Sequence, residues 1–281
     1  MTDSEILSRP RFEILPTKGA EEQADHLPRG AKVAVTCSPT KGIESTLRFS
    51  EGLLERGFRV VPHIAARLVV DRAHLEKILR WFDEHRVREV YVIGGDAKEP
   101  VGPYASALEL LGAMSHLEHG VEEVGIGGYP EGHPFIADEE LDRALLDKQP
   151  FASYVVTQLC FDADAILGWI SDARRKGLRL PVYVGMPGAV DRKKLLQISL
   201  KVGVGDSVRF LKKQSGLIGM LLKPGGYSPD ALFERLTPYA RDEHYGIAGL
   251  HLYTFNQVQS TEEWRQRMLG LEKTSGARVT R

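Results

Sequence analysis

The feature that most constrains this chain is a rhythm. Eight short runs rich in Val, Ile and Leu, at residues 11–15, 32–36, 59–64, 89–93, 123–127, 153–159, 180–184 and 249–255, alternate with stretches of helical periodicity. Strands that alternate with helices imply a mainly parallel sheet. YVVTQLCF (154–161) and LPVYVG (180–185) are too continuously apolar for half-solvated strands and suit a sheet covered on both faces. The strand count, the even spacing and the length of 281 residues favour a closed (β/α)8 TIM barrel over an open doubly wound sheet.

Helices are expected at residues 43–56, 72–85, 103–118, 138–148, 163–176, 192–201 and 229–241. In the second of these, Leu75, Ile78, Leu79 and Phe82 recur three and four apart and form one face for the barrel wall. The first connection, 16–31, has room for only a turn or two. The seventh is long enough for extra helices, one of them at 204–214. Gly57, Gly120 and Gly177 are candidate C-caps, and Asp138 and Asp191 candidate N-caps. The expectation is one catalytic barrel domain over 1–281, with 265–281 forming a helix end and a flexible tail.

Composition excludes several classes. With 37 Lys and Arg against 38 Asp and Glu, the net charge of −1 gives no bulk attraction to nucleic acid or anionic membrane. Cys37 and Cys160 form no CxxC pair and are expected as buried or half-buried free thiols. No apolar run is long enough for a signal or a membrane span, so a cytoplasmic location is the default expectation.

In a barrel of this kind, chemistry is carried by the C-terminal strand ends. The polar exceptions gather there: Glu13, Thr36, His63, Asp96, Tyr129, Glu131, His133, Gln158, Tyr253 and Asn256. Glu13, between Phe12 and Ile14, reads either as a desolvated general acid or as a salt-bridged rim carboxylate. Asp96 ends YVIGGD, where two glycines permit close backbone approach, and is either an acceptor for an amino-substituted heterocycle or a loop brace. Gln158 can donate and accept toward a pterin, flavin or amide edge, or bond within the barrel. His63 is a ligand contact or a satisfied rim histidine. Tyr129, Tyr253 and Phe255 are aromatic walls or core. No HExxH or compact Cys/His spacing supports a metal site, and GxSxG is absent.

In order along the chain, FEILP (12–16), AVT (34–36), PH (62–63), GD (95–96), YPEGHP (129–134), TQLCFD (157–162), GMP (185–187) and LYTFN (252–256) resemble the methylenetetrahydrofolate reductase family, in its single-domain bacterial form. The resemblance runs from Arg11 to Asn256. It implies reduction of 5,10-methylenetetrahydrofolate to 5-methyltetrahydrofolate by NADH or NADPH, usually through FAD. Folate and nicotinamide would then be the partners, with no nucleic acid or membrane and no metal. It makes Glu13 the acid that protonates folate N5 and helps open the imidazolidine ring to an iminium. Asp96 would support that cation, and Asp96, Gln158 and Tyr253 would bind folate. Thr36, His63, Tyr129 and His133 match positions around FAD, and Lys148 matches a phosphate contact.

The departures from the family pattern concentrate on the flavin. Gly94-Gly95-Asp96 replaces RGD, His63-Ile64-Ala65-Ala66 replaces HLTC, and residues 150–153 replace AGA. Leu145, Leu146 and Asp147 offer little charge to a diphosphate, and Gln257 stands where family members carry arginine. A lost arginine removes a planar fixed-charge donor. Two routes follow: a loosely held FAD shuttle, or direct hydride transfer from NAD(P)H, which the departures favour. A folate-binding lyase or methyl-transfer barrel and a noncatalytic folate-binding protein are the alternatives from other classes.

Overall fold

The computed structural model describes residues 3–191 and 228–271. Eight parallel strands close into one barrel in sequence order. They are β1 Arg11–Ile14, β2 Lys32–Val35, β3 Arg59–Ala65, β4 Glu89–Ile93, β5 Glu123–Gly128, β6 Tyr154–Thr157, β7 Val182–Pro187 and β8 Ile247–Tyr253. The helices, in chain order, are α1 Asp3–Ser8, α2 Ala20–Ala24, α3 Gly42–Glu55, α4 Arg72–Glu84, α5 Ala107–Met114, α6 Asp138–Lys148, α7 Ala163–Lys176, α8 Asp230–Leu236 and α9 Val258–Met268. The expected eightfold barrel is the fold observed. The helices expected at 192–201 and 204–214 lie outside the described residues, while the helix expected at 229–241 is present as α8.

Strand alternation divides the interior from the outer layer. Phe12 and Ile14 of β1, Val33 and Val35 of β2, and Val90 and Val92 of β4 join the large core between sheet and helices. Leu75, Ile78, Leu79 and Phe82 of α4 meet them there, as the periodicity predicts. Ala34, Val61, Tyr91, Tyr154 and Val156 form a separate small cluster inside the barrel. Large inward rings need small neighbours: a Cβ on Gly125 would lie 2.4 Å from the Tyr154 ring, and one on Gly185 would lie 2.8 Å from the Tyr253 ring and 2.0 Å from the Thr157 carbonyl.

Local signals fix the element ends. Asp71 and Asp162 cap α4 and α7, and Ser106 with Glu109 makes a capping box that starts α5 later than periodicity suggests. Gly177 closes α7 with φ 115°. Gly120 is no helix cap: its N–H donates to Asp83 and its carbonyl accepts from Arg88. Asp138 is the first residue of α6, with Ala137 at the cap. The strand β7 runs on through GMP because Gly185, Met186 and Pro187 pair with His251, Leu252 and Tyr253. Cys37 is half-buried and Cys160 buried, both free; burial pushes the Cys160 thiol up to about 12. Among the described residues no helix is long and apolar enough to cross a membrane.

The N-terminal end of the barrel is plugged by a buried ion pair. Arg11 donates through Nε and Nη2 to Glu89 Oε1, at 3.1 and 2.8 Å, and Lys32 binds Glu89 Oε2. The Arg11 guanidinium lies 3.4 Å from the Tyr183 ring centre and 4.2 Å from that of Tyr154. Burial alone would raise the Glu89 carboxyl, but Arg11 and Lys32 overcome it and hold the group below the usual carboxylate range. Its stabilising contribution is therefore full above the unfolded value of about 4.3 and is lost as pH falls through the lower folded value. Replacing Arg11 by Met is expected to cost about 3–5 kcal/mol at pH 7, because it strips a buried carboxylate of its main partner. Urea unfolding at pH 7 and at pH 3 checks this, with a smaller difference expected at pH 3.

Candidate active site

Glu13 occupies the third position of β1 and faces the barrel interior near its C-terminal mouth, in register with Ala34 on one side and Tyr253 on the other. Its backbone is clasped by the loop after β8. The Thr254 hydroxyl donates to the Glu13 carbonyl at 2.6 Å. Asn256 accepts from Leu15 N–H at 2.8 Å and donates to the Leu15 carbonyl at 3.0 Å and to the Thr17 hydroxyl at 2.7 Å. To do so Phe255 and Asn256 adopt left-handed φ values of 50° and 63°.

The Glu13 side chain is 13% exposed, so it is sheltered yet reachable from the mouth. Its Oε2 lies 3.1 Å from His251 Nε2 and 4.0 Å from His63 Nε2. His63 packs against Tyr91 at 4.6 Å between ring centres, and His251 against Tyr253 at 5.0 Å. His63 Nε2 is buried without a hydrogen-bond partner. Burial pulls the His63 imidazole down to about 4, against the opposing pull of Glu13, and His251 adds to the lowering. The ring is thus neutral at ordinary pH. Burial also pushes the Tyr91 and Tyr253 phenols well above their ordinary value. The Tyr253 hydroxyl donates to the Thr157 carbonyl at 3.1 Å, and Gly185 N–H donates to the Thr157 hydroxyl at 2.8 Å. Phe255 stacks on Tyr253 with ring centres 6.4 Å apart.

A second group lies beside the first. Asp96 is exposed in the loop after β4, where Gly95 takes φ 91° and a Cβ on it would come within 2.8 Å of Ala65 Cβ. Of the two glycines only Gly95 is so crowded; a Cβ on Gly94 would meet nothing within 4 Å. The Asp96 charge reaches Tyr129 and His133: burial first, then Asp96, raises the Tyr129 phenol, while burial lowers His133 against the opposing pull of Asp96. Tyr129 and His133 meet edge-on at 5.6 Å, and His133 meets the exposed Phe135 at 5.9 Å. Tyr129 acts electrostatically on both Tyr91 and Tyr253, which joins the two groups.

The remaining predicted residues are placed less centrally. Gln158 is exposed; its N–H donates to the Gly128 carbonyl, and its side-chain oxygen accepts from Leu159 N–H at 2.8 Å. Thr36 is half-buried where β2 ends, its N–H bonded to the Ile14 carbonyl. Lys148 ends α6, ten residues from Asp138 and so about 15 Å along the helix from its rim-side start. Burial lowers the Lys148 ammonium to about 8. An open cleft of about 600 Å³ lies outside the β8–β1 seam, lined by Thr17, Lys18, Asp191, Asn256, Gln257 and Glu263, and does not include Glu13. Among the described residues no group of three or more His, Cys, Asp and Glu could hold a metal ion.

His251 and Tyr91 escape the sequence motifs. Period-two alternation does contain them: His251 is in phase with Tyr253 on β8, and Tyr91 follows Glu89 on the inward face of β4.

Fold and site together define a (β/α)8-barrel protein with a carboxyl–imidazole pair at the C-terminal mouth. Comparison with known proteins narrows that class. Residues 26–201, more than half of the chain, match the family model "Methylenetetrahydrofolate reductase". The chain belongs to this family. It is 26% identical over 176 residues to "Methylenetetrahydrofolate reductase (NADH) 1" of Arabidopsis thaliana, covering 57% of the chain and 28% of the relative. It is 27% identical over 164 residues to "Probable methylenetetrahydrofolate reductase (NADPH)" of Caenorhabditis elegans, covering 56% and 23%. With "Methylenetetrahydrofolate reductase 1" of Schizosaccharomyces pombe it shares 30% over 67 residues, 22% of the chain and 11% of the relative. The chain thus spans less than a third of each of these relatives. Glu13, His251 and Tyr253 lie outside the residues matched to the family model, and barrel closure joins them to His63, which lies within.

The neutral His63 makes a direct prediction. Its ring C–H resonances should stay at the neutral-form position from pH 8 down to about 5 in an NMR titration. Its folded value lies below the unfolded value of about 6.5, so its contribution to stability is full above that value and declines as pH falls toward 4, by up to about 3 kcal/mol. Replacing His63 by Gln should flatten this part of the acid unfolding profile.

Proposed function

We propose that this chain is a catalytic barrel that reduces 5,10-methylenetetrahydrofolate to 5-methyltetrahydrofolate with NADH or NADPH, and that residues 1–281 act as a single catalytic domain. The observation that carries this reading is the sheltered Glu13 carboxyl, bonded to His251 and beside a neutral His63, at the mouth of a barrel of this family. A carboxyl there is placed to deliver a proton.

For the product to carry its methyl group on N5, the bond between the methylene carbon and N10 must break. The Glu13 proton therefore ends on N10, directly or by way of N5, and the electron pair of the broken bond stays there. Positive charge then develops on the N5 iminium. Asp96, beside Tyr129 and His133, offers the fixed negative charge that favours it, and its acceptor oxygens suit the amino edge of a pterin. Gln158 and Tyr253 would complete the folate contacts. Reduced nicotinamide, when bound, supplies the hydride to the methylene carbon.

The residues fit a resident flavin poorly at its phosphate end. The rim-side turn of α6 opens with Asp138, Glu139 and Glu140, and Lys148 stands at the opposite end of that helix. An acidic helix start repels a diphosphate. Thr36, His63, Tyr129 and His133 are instead available to the ring of a nicotinamide that enters and leaves at each turnover. This supports direct hydride transfer without a tightly held flavin. A second reading, an FAD shuttle through the same site, draws support from the unpartnered Nε2 of His63, which a flavin ring could also satisfy.

Anaerobic NADH and NADPH oxidation by flavin-depleted protein, with and without 5,10-methylenetetrahydrofolate, tests the proposal. Folate-dependent oxidation before any FAD is added is the expected outcome. Activity only after FAD addition would replace direct transfer by the shuttle, and no folate-dependent oxidation in either state would defeat the reductase reading. Glu13→Gln should lower kcat about 10²–10⁴-fold while leaving folate affinity within a few-fold, measured by equilibrium binding.

A further inference from the structure

The inward positions of the last strand run Gly249, His251, Tyr253, and of these His251 lies in register with Arg11, one inward position below the level of Glu13. From there its ring rises to bring Nε2 within 3.1 Å of Glu13 Oε2. The ring is 2% exposed, and its other nitrogen, Nδ1, is buried with no hydrogen-bond partner. The groups facing the pair come from several strands: His63 from β3, Tyr91 from β4 and Tyr253 from β8, with Tyr129 acting on both tyrosines from the end of β5. His63 is neutral and the phenols keep their protons, so these neighbours bring no full charge to the pair near pH 7.

The bare Nδ1 discriminates between protonation states. An imidazolium would bury an unpaired, charged N–H donor, a costly arrangement. A neutral ring protonated on Nδ1 would strand an N–H donor there as well. A neutral ring protonated on Nε2 leaves only a lone pair unsatisfied and puts its single donor on Glu13 Oε2, 3.1 Å away.

We infer that His251 is the positioning residue of the acid: its neutral Nε2–H holds Glu13 Oε2, turns Oε1 toward the substrate, and stabilises the carboxylate left when the proton departs. The inference rests on the acid role proposed above for Glu13. In the step, the O–H bond at Oε1 breaks and its proton passes to the substrate nitrogen, while the bonding pair remains on the carboxyl group. The Nε2–H···Oε2 bond becomes charge-assisted and strengthens, and His251 neither gains nor loses a proton. Solvent returns a proton to Glu13 before the next turnover. Thr254 and Asn256 fix the backbone of this acid, and His251 fixes its side chain.

Two variants separate donor chemistry from packing. His251→Phe keeps ring volume and removes the donor; His251→Gln restores an N–H near the position of Nε2. The first readout is an infrared titration of the Glu13 carboxylic C=O stretch, assigned by its loss in Glu13→Gln, which needs no turnover. The second is the pH profile of kcat. In His251→Phe both the infrared transition and the corresponding kinetic limb should move up by roughly one pH unit. Its kcat should fall about tenfold or more, with a smaller change in KM for folate, whereas His251→Gln should stay within about half a unit of the parent. Circular dichroism checks folding, and His251→Asn, too short to reach Oε2, takes the place of the Phe variant if that one does not fold. The same infrared transition in all folded variants, or a Gln variant that behaves like Phe, overturns the inference. If the parent shows no folate-dependent turnover, the acid role falls, and the infrared shift still decides whether His251 governs Glu13.

Discussion

Everything at the mouth depends on the seam where β8 closes onto β1. The first strand is only four residues long, and alone it would present Glu13 on a frayed edge. Pairing with β2 on one side and β8 on the other turns that edge into barrel wall. The loop after β8 then adds side-chain bonds that a regular ladder lacks, from Thr254 to Glu13 and between Asn256 and Leu15 and Thr17. Two consecutive non-glycine residues in left-handed backbone, Phe255 and Asn256, cost on the order of 1–3 kcal/mol each. The Asn256 bonds offset that cost and spend local strain on holding one carboxyl in place.

The barrel interior separates two kinds of electrostatics that lie two residues apart on the same strand. Arg11 points inward at the base and is saturated by Glu89 and by the faces of Tyr154 and Tyr183. Glu13 points inward at the mouth and meets imidazole rings instead. Ala34, Val61, Tyr91 and Val156 fill the interior alongside them. If Arg11 bonded Glu13, the guanidinium would favour the carboxylate and oppose the proton donation proposed for it. Engaging Arg11 at the base is therefore as much a condition of the proposed acid role as placing Glu13 at the top. The neutral state of His63 serves the same end, since an imidazolium 4.0 Å away would also favour the ionised acid.

Much of this was legible in the residues because barrel strands and helices announce themselves by period. All eight expected strands are present, and the stretches at 138–148 and 163–176 match α6 and α7 end to end. Glu13, His63, Asp96, Tyr129, His133 and Tyr253 stood out as polar or aromatic interruptions at strand ends, and the fold brings them to one mouth. His251 and Tyr91 did not, because each sits within its strand, where a buried polar residue looks like an ordinary core exception until its neighbour across the barrel is known. Lys148 is a different case: a basic residue near the right motif says nothing of which end of its helix it occupies, and it proves to be the last residue of α6. The capping of α5 by Ser106 likewise overrode a helical period that began earlier.

The charge balance of the mouth bears on the sign of the intermediate proposed for it. Around Glu13 and Asp96 stand phenols that keep their protons and imidazoles that burial drives toward the neutral form at His63 and His133. The nearby start of α6 contributes three further carboxyl groups to its first turn. A site of this composition opposes an oxyanion or a permanently held diphosphate. It suits the proposed reaction, in which a neutral substrate accepts a proton from Glu13 and the carboxylate then stands beside the charge created. On the reading proposed above, the poor match to a resident flavin and the good match to an iminium are thus two consequences of one electrostatic bias.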